Sequence, residues 1–450
     1  MLKETPDRVS FFMGEKEMNG SLHLFDKIIE KAEARIEAAP SYDALALETA
    51  GDPAGPGHTA FYLGRNIPLL KRLAAAIEAG ERDPIRFVYI DPPFFSENDY
   101  DAVVTAGDQK LKFTAYTDRW SDGLEDYLVK AACVLVLIRR VLAADGLVCV
   151  HLDWHVSHYV RALMDEVFGA DRFVNDIVWT YKSGGSTTKR FSRKHDDLLL
   201  YSKSKEYRFN PQKEKSYNRG GKPYRFDGVD EFEDENGWYT LVNMKDVWDI
   251  DMVGRTSGER TGYATQKPLK LMRRLIVSCS DEGDTVADFF AGSGAFPLAA
   301  AELGRNVIAC DVSPLSADTT MRRLEKAGAF VDLYADNAAE DTAQDAFDAE
   351  VSAVREKGTV TVTVDAIAEP GLADRLDGKS LAAAEELLAH APERLIKSVS
   401  AGSAGPDGVF YKVKEAADAC SVSFDASEIE GPVVVKVTDV FGNFTYKSVS

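Results

Sequence analysis

No apolar stretch in this chain is long enough to cross a bilayer. The best run, AACVLVLI at 131–138, meets Arg139 and Arg140, far short of the roughly 20 residues a spanning helix needs. The opening MLKETPDRVSFF lacks the apolar core of an export signal, so a cytoplasmic protein is expected. Cysteine is sparse. The five, at 133, 149, 279, 310 and 420, are scattered, odd in number and without metal-ligand spacing, and read as reduced and structural. Internal repeats and low-complexity tracts are also missing. The one histidine-rich stretch, HLDWHVSH (151–158), reads as a strand running into a helix. That geometry scatters His151, Asp153, His155 and His158, so no metal is expected.

Net positive charge is lacking as well: the formal charge is −20, which taken alone argues against a polyanionic partner. The distribution says otherwise. From Trp179 to Phe226 there are 13 Lys/Arg against 4 Asp/Glu, whereas the last 120 residues hold 22 acidic and 10 basic. A basic segment in an acidic protein suits local contact with phosphates, although a solvated loop would read the same way.

With 45% hydrophobic and 28% charged residues over 450 positions, the chain has room for two or three domains. Residues 21–38 carry apolar positions at helical spacing, and GDPAGPGH (51–58) reads as a linker. Residues 1–58 are therefore taken as a helical extension. Apolar, β-rich runs then recur at 86–91, 147–152, 177–181, 197–202, 285–290 and 307–311, with helical patterns at 124–143 and 156–168. This alternation predicts a mainly parallel sheet with helices on both faces, over 59–330. Polar, aromatic residues 205–260 interrupt it as an irregular insertion. Residues 345–450 change to short alternating strands and predict a small β-containing C-terminal domain.

Three stretches carry chemistry. In DTVADFFAGSGAFPLAAAELGRNVIACD (284–311), a buried strand, a tight turn, a helix and a second strand end in Asp311. Gly292 and Gly294 would let backbone approach a ligand at a helix N-terminus, and Asp311 stands where an acid accepts from a ribose. A close helix–strand crossing would use the same glycines. In TQKPLKLMRRLI (265–276), Pro268 opens a helix, leaving Thr265, Gln266 and Lys267 at its N-terminus. In VYIDPPFFSENDY (88–100), a buried strand runs into Asp91, Pro92, Pro93, Phe94 and Phe95. The bland alternative there is a turn with both phenylalanines in the core.

Taken in order, DPPF, TQKP and DFFAGSG resemble the β-class of amino-group DNA methyltransferases, of the restriction–modification type. YLGRNIPLL (62–70), YTDRWSDGLEDYL (116–128), the 146–169 stretch, DIVWTYKSGG (176–185) and KHDDLLLYSK (194–203) extend the likeness across about 59–325. The resemblance implies a Rossmann-like S-adenosylmethionine-dependent fold, a mainly parallel doubly wound sheet, with the insertion recognising the target. It implies that Asp91 and the Pro92 carbonyl accept the two N–H bonds of an exocyclic amine, localising a lone pair otherwise delocalised into the ring. Pro92 and Pro93 would stiffen the turn, and Phe94 would stack on a flipped base. Phe290, Gly292, Ser293 and Gly294, with Thr265, Gln266 and Lys267, would hold the methionine part of the cofactor. Asp311 would hold its ribose, and Asp288 would shape the turn. Lys182, Lys189, Arg190, Arg193 and Lys194 are the phosphate-contact candidates on double-stranded DNA.

Some positions depart from the family pattern. Phe94 stands where Tyr is more frequent, Ala295 and Pro297 replace threonines, and Arg65 replaces an acid before Asn66. The expectation is a prokaryotic or phage-type enzyme that methylates adenine N6. The alternatives are cytosine N4 and a non-catalytic DNA-binding relative. A dinucleotide oxidoreductase would explain the Gly292–Asp311 unit but neither DPPF nor TQKP. A homodimer, a partner subunit of a restriction–modification system or the C-terminal domain would supplement a short target-reading insertion.

Overall fold

The computed structural model describes residues 22–183, 187–337, 347–376, 378–429 and 431–449; the first 21 residues of the N-terminal extension and residues 345–346 lie outside them. Six parallel strands form the centre of a 14-stranded sheet, in the spatial order Leu142–Leu152, Ile85–Ile90, Thr285–Asp288, Asn306–Asp311, His58–Leu63 and Phe330–Asp336. Their side chains are buried nearly throughout, as expected of strands covered on both faces. His195–Ser202 joins antiparallel beside Leu142–Leu152, followed by Phe173–Thr180.

Helices cover both faces. Leu22–Ala38, Asn66–Glu78, Gly123–Val141 and Ser157–Phe168 share one apolar core, and Leu269–Cys279, Ala295–Glu302 and Pro314–Lys326 share the other. The Leu269–Cys279 helix starts directly after Pro268 and buries Leu271, Met272, Leu275 and Ile276. That spacing puts one stripe inward.

Chain direction across the sheet reverses at one point. From Ile85–Ile90 the chain moves outward to Leu142–Leu152, and from Thr285–Asp288 it moves the opposite way to Asn306–Asp311. These two adjacent strands end in DPPF and in the glycine turn. A crevice outside the carboxyl ends at such a switch point is where open α/β sheets bind ligands. Among the described residues no helix is long and apolar enough to cross a membrane.

Three regions show more order than the sequence pattern suggested. Ala44–Ala50, His58–Leu63 and Phe330–Asp336 are strands of the main sheet. Asp99–Ala106 and Gln109–Thr117 form an antiparallel hairpin directly after DPPF. Within 205–260, Lys213–Tyr217, Gly237–Asn243 and Glu231–Asp234 pair into a three-stranded meander, and Val247–Asp249 adds to the main sheet beside Phe173–Thr180. Toward the C-terminus, Phe410–Ala417 pairs in parallel with Ala44–Ala50 through Glu48 and Thr49, and Ile396–Ala404, Val433–Asp439 and Phe444–Val449 continue from it. A separate apolar cluster around Val360, Val362, Val399 and Val435 gives this region its own core.

Candidate active site

Asp91 follows directly on Ile85–Ile90, and the loop after it is held in a conformation that L residues rarely adopt. Phe95 and Glu97 have φ of 58° and 57°, in the left-handed region that costs a non-glycine residue about 1–2 kcal/mol. The restraint is Asp118, fully buried at the end of the hairpin. Its carboxylate accepts the backbone N–H groups of Phe94 and Phe95 at 3.0 Å each and of Ser96 at 2.7 Å. Ser96 Oγ and Trp120 Nε1 donate to it as well, at 2.7 and 2.8 Å. Tyr127 donates its hydroxyl to the Pro93 carbonyl at 2.9 Å. Neither Asp118 nor Tyr127 was singled out by sequence reasoning. The available signal was the acid in YTDRW, whose distance along the chain hides its role.

One oxygen of Asp91 is engaged and the other is not. Lys267 Nζ donates to Oδ2 at 2.5 Å, while Oδ1 is buried without a hydrogen-bond partner among the described residues. His151 Nδ1 lies 3.7 Å from Oδ1. That nitrogen already meets the Tyr89 hydroxyl at 2.8 Å, and Nε2 meets Asp196 Oδ2 at 3.1 Å. With Nδ1 facing Tyr89 and Nε2 facing Asp196, both ring nitrogens are already engaged away from Asp91. Tyr181 donates to the second Asp196 oxygen at 2.8 Å. Burial alone would raise the Asp196 carboxyl, but His151, Lys267 and Tyr181 hold it below the ordinary value. Burial pushes the Tyr89 hydroxyl up, and the fields of Asp91 and Asp288 add to this. Among the described residues no backbone donor meets the Pro92 carbonyl. An orphaned buried acceptor is rare in a folded protein and calls for an explanation.

The Phe94 ring is half-buried, 5.8 Å from His151 and 5.5 Å from Lys267 Nζ. The other histidines of the 151–158 stretch go elsewhere: His155 bonds Asp153 at 2.8 Å and His158 is exposed.

At the neighbouring strand end, Asp288 accepts the Phe290 N–H at 2.9 Å and Asp311 accepts those of Gly292 and Ser313 at 2.8 and 2.9 Å. Burial pushes both carboxyls up despite these bonds. A polar cavity opens here between Asp91, Tyr263, Thr265, Lys267, Gly292 and Ser293. Phe290 lines it too, and also lines a second, apolar cavity of about 170 Å³ with Asn66, Ile67, Pro92, Pro93 and Tyr127. Three expected cofactor residues stand back from the polar cavity. Gly294 faces Thr320. Asp311 lies behind the Gly292 amide. Gln266 holds the 259–261 turn, accepting from Thr261 N at 2.8 Å and donating to the Glu259 carbonyl at 2.6 Å. Thr265 has φ of 52°, and its hydroxyl lies 3.3 Å from that of Tyr116.

The basic candidates all lie on the connection from Phe173–Thr180 to His195–Ser202. Lys182, Lys189, Arg190 and Arg193 are exposed. Lys194 donates to the Ser183 carbonyl and hydroxyl, each at 2.8 Å, and the Arg193 guanidinium stacks 3.2 Å above Trp154.

The sequence model of the DNA methylase family matches residues 85–322. The chain is 27% identical over 257 residues to the type II methyltransferase M.HpaI of Haemophilus parainfluenzae, covering 56% of this chain and 71% of that protein. It is 28% identical over 252 residues to M1.MboII of Moraxella bovis (52% and 86%), and 24% identical over 249 residues to the DNA adenine methyltransferase YhdJ of Escherichia coli K12 (54% and 78%). Among solved structures, the M1.HpyAVI–SAM complex superposes with a TM-score of 0.39 at 16% identity, over 59% of this chain and 98% of that one. The cytosine-N4-specific PvuII DNA methyltransferase gives 0.39 at 16%, over 61% and 89%.

Proposed function

Because the chain belongs to the DNA methylase family, whose members methylate amino groups of DNA bases, we propose that it transfers methyl from S-adenosylmethionine to adenine N6 in double-stranded DNA. The observation that carries this reading is the unpartnered Asp91 Oδ1 beside the open Pro92 carbonyl. An exocyclic amine offers two N–H donors. With Asp91 and Pro92 accepting them, its lone pair leaves conjugation with the ring and becomes nucleophilic. Lys267 fixes the Asp91 carboxylate from its far oxygen, so alignment exists before the base arrives. Phe94 offers the flipped base a stacking face.

The two cavities fit the cofactor. The polar one suits its amino-acid end, with Lys267, Thr265 and the Gly292 and Ser293 backbone as partners. The apolar one suits a purine ring between Ile67, Pro92, Pro93 and Phe290. Both meet at Phe290, next to Asp91 and Pro92. When bound there, S-adenosylmethionine supplies a sulfonium-activated methyl group. The exposed cations of 182–194 would contact phosphates, and the 213–243 meander would read the target. Adenine is favoured because the motif begins with Asp91, where relatives acting on cytosine N4 more often carry serine.

Nucleoside mass spectrometry on mixed-sequence DNA treated with the protein and labelled S-adenosylmethionine tests this. Labelled N6-methyladenine is expected, falling at least ~10³-fold in Asp91→Ala while cofactor binding persists. Labelled N4-methylcytosine would overturn the base assignment. Bound cofactor without any label would sink the catalytic reading.

A further inference from the structure

Phe191 is 98% exposed, more than any other large apolar side chain among the described residues. A ring held wholly in water gains nothing for the free protein, since burial of apolar surface is the main favourable term in folding. Its neighbours are Lys189, Arg190, Arg193 and Lys194, and no acid occurs between Tyr181 and His195. Cations on both sides of an exposed aromatic suit a segment that meets phosphates and bases together.

The segment is anchored beside the active site at both ends. Tyr181 bonds Asp196, Asp196 bonds His151, and His151 lies 3.7 Å from Asp91 and 5.8 Å from the Phe94 ring. Arg193, two residues from Phe191, is stacked on Trp154, three residues beyond His151. Asp196 is five positions beyond Phe191, so the two Cα atoms lie within about 18 Å even if the segment is fully extended. Phe191 is therefore tethered within reach of the pocket that would hold the target base.

We propose that Phe191 is a wedge that enters the duplex at the target nucleotide and takes the stacking place the flipped base leaves. This rests on the reading of the site as a DNA methyltransferase. Apolar side chains inserted at a base step are a general way to hold DNA open, and the wedge lowers the cost of keeping the base against Phe94 and Asp91. Every base presents a π-face, so Phe191 governs flipping and leaves site choice to other residues. Because the ring makes its contact only in the complex, it is a positioning residue whose removal leaves the fold intact.

The test uses the full-length protein, the mapped target site, and duplexes in which the target base is either normally paired or placed opposite an abasic position. Flipping is cheap in the second duplex. In Phe191→Ala, kcat on the paired duplex should fall about 10- to 100-fold, and most of it should return on the abasic duplex. Phe191→Trp should stay within about threefold of the native protein on both, since it keeps a stacking face. With 2-aminopurine at the target position, the fluorescence rise on binding should shrink in Phe191→Ala, and cofactor affinity should not change. An Ala variant equally active on the paired duplex, or equally impaired on both duplexes, would overturn the wedge. A native protein that methylates neither duplex would instead refute the methyltransferase reading, and the wedge with it.

Discussion

Gly292 and Gly294 lie two residues apart in one turn and answer to different demands. Both have positive φ, 51° and 72°. A Cβ on Gly294 would stand 2.4 Å from Thr320 Oγ1, within the protein, whereas a Cβ on Gly292 would meet nothing nearer than Tyr263 Cε1 at 3.5 Å. One glycine is needed for the helix crossing and the other leaves room at the cavity wall. Gly294→Ala should destabilise the fold by about 1–3 kcal/mol, because it combines overpacking with a strained backbone. Gly292→Ala should cost less stability, about 1 kcal/mol, yet weaken S-adenosylmethionine binding more than tenfold. Urea unfolding and calorimetric cofactor titration of the two variants would separate these effects, and equal behaviour in both assays would refute the division.

At the scale of elements, the strand Ile85–Ile90 delivers Asp91 but does not shape the loop that follows. That task falls to the hairpin Asp99–Ala106 with Gln109–Thr117, whose end presents Asp118 to three successive amides. The hairpin leans on the C-terminal region. Phe113 packs edge-on against Phe441 at 5.3 Å, Lys112 N donates to Ser380 Oγ at 3.0 Å, and Arg394 pairs with Asp108 at 2.7 Å. A chain of contacts thus runs from residues beyond 345 to the DPPF loop. Asp118→Asn keeps the size but turns an NH₂ toward backbone donors. It should lower kcat about 10- to 100-fold through misplacement of Phe94 and the Pro92 carbonyl, with cofactor affinity nearly unchanged. Single-turnover kinetics would check this, and a drop in cofactor affinity as large as the drop in rate would point to a wider collapse of the site.

Across the whole molecule, charge holds the C-terminal strands to the rest. Arg322 pairs with Asp318 and Glu415, Lys397 with Asp318, and Lys412 with Glu325 and Glu415. A buried Lys436–Glu48 pair joins the last strands to Ala44–Ala50. Two carboxyls in this region set opposite pH limits. Burial opposes it, but Arg322 and Lys412 hold Glu415 down to about 2, so its contribution is present above the ordinary carboxylate range and lost as pH falls toward 2. Burial, together with the neighbouring Asp439, pushes the Glu369 carboxyl up against the pull of Arg375. The folded protein then keeps a proton that the unfolded chain releases above about 4.5, so stability falls as pH rises from there. One such proton is worth roughly 1.4 kcal/mol per pH unit. Glu369→Gln should flatten the decline in Tm between pH 6 and 9, and an unchanged slope would exclude this group as its source.

Much of the site was legible in the sequence because its parts are local. A strand ending in an acid and two prolines, a glycine turn before a helix, and a proline-opened helix are each set by the backbone preferences of a few adjacent residues. The parallel order of the strands followed from their alternation with helices. Other features depended on residues far apart in the chain. Ala44–Ala50 is, apart from Thr49, made of alanine, leucine and glutamate, which favour helix, and it is a strand because Phe330–Asp336 and Phe410–Ala417 flank it. Asp118 became the clamp of the loop only when the 99–117 hairpin folded back onto it, and His151 met Asp196 only when Leu142–Leu152 and His195–Ser202 were brought side by side. The orphaned Asp91 oxygen is likewise a property of packing: Lys267, 176 residues away, takes one oxygen and leaves the other open. Residue types and turns therefore determined the chemistry available to this protein. Tertiary structure decided which groups meet, because contacts between distant segments depend on sheet register and burial, which no local pattern encodes.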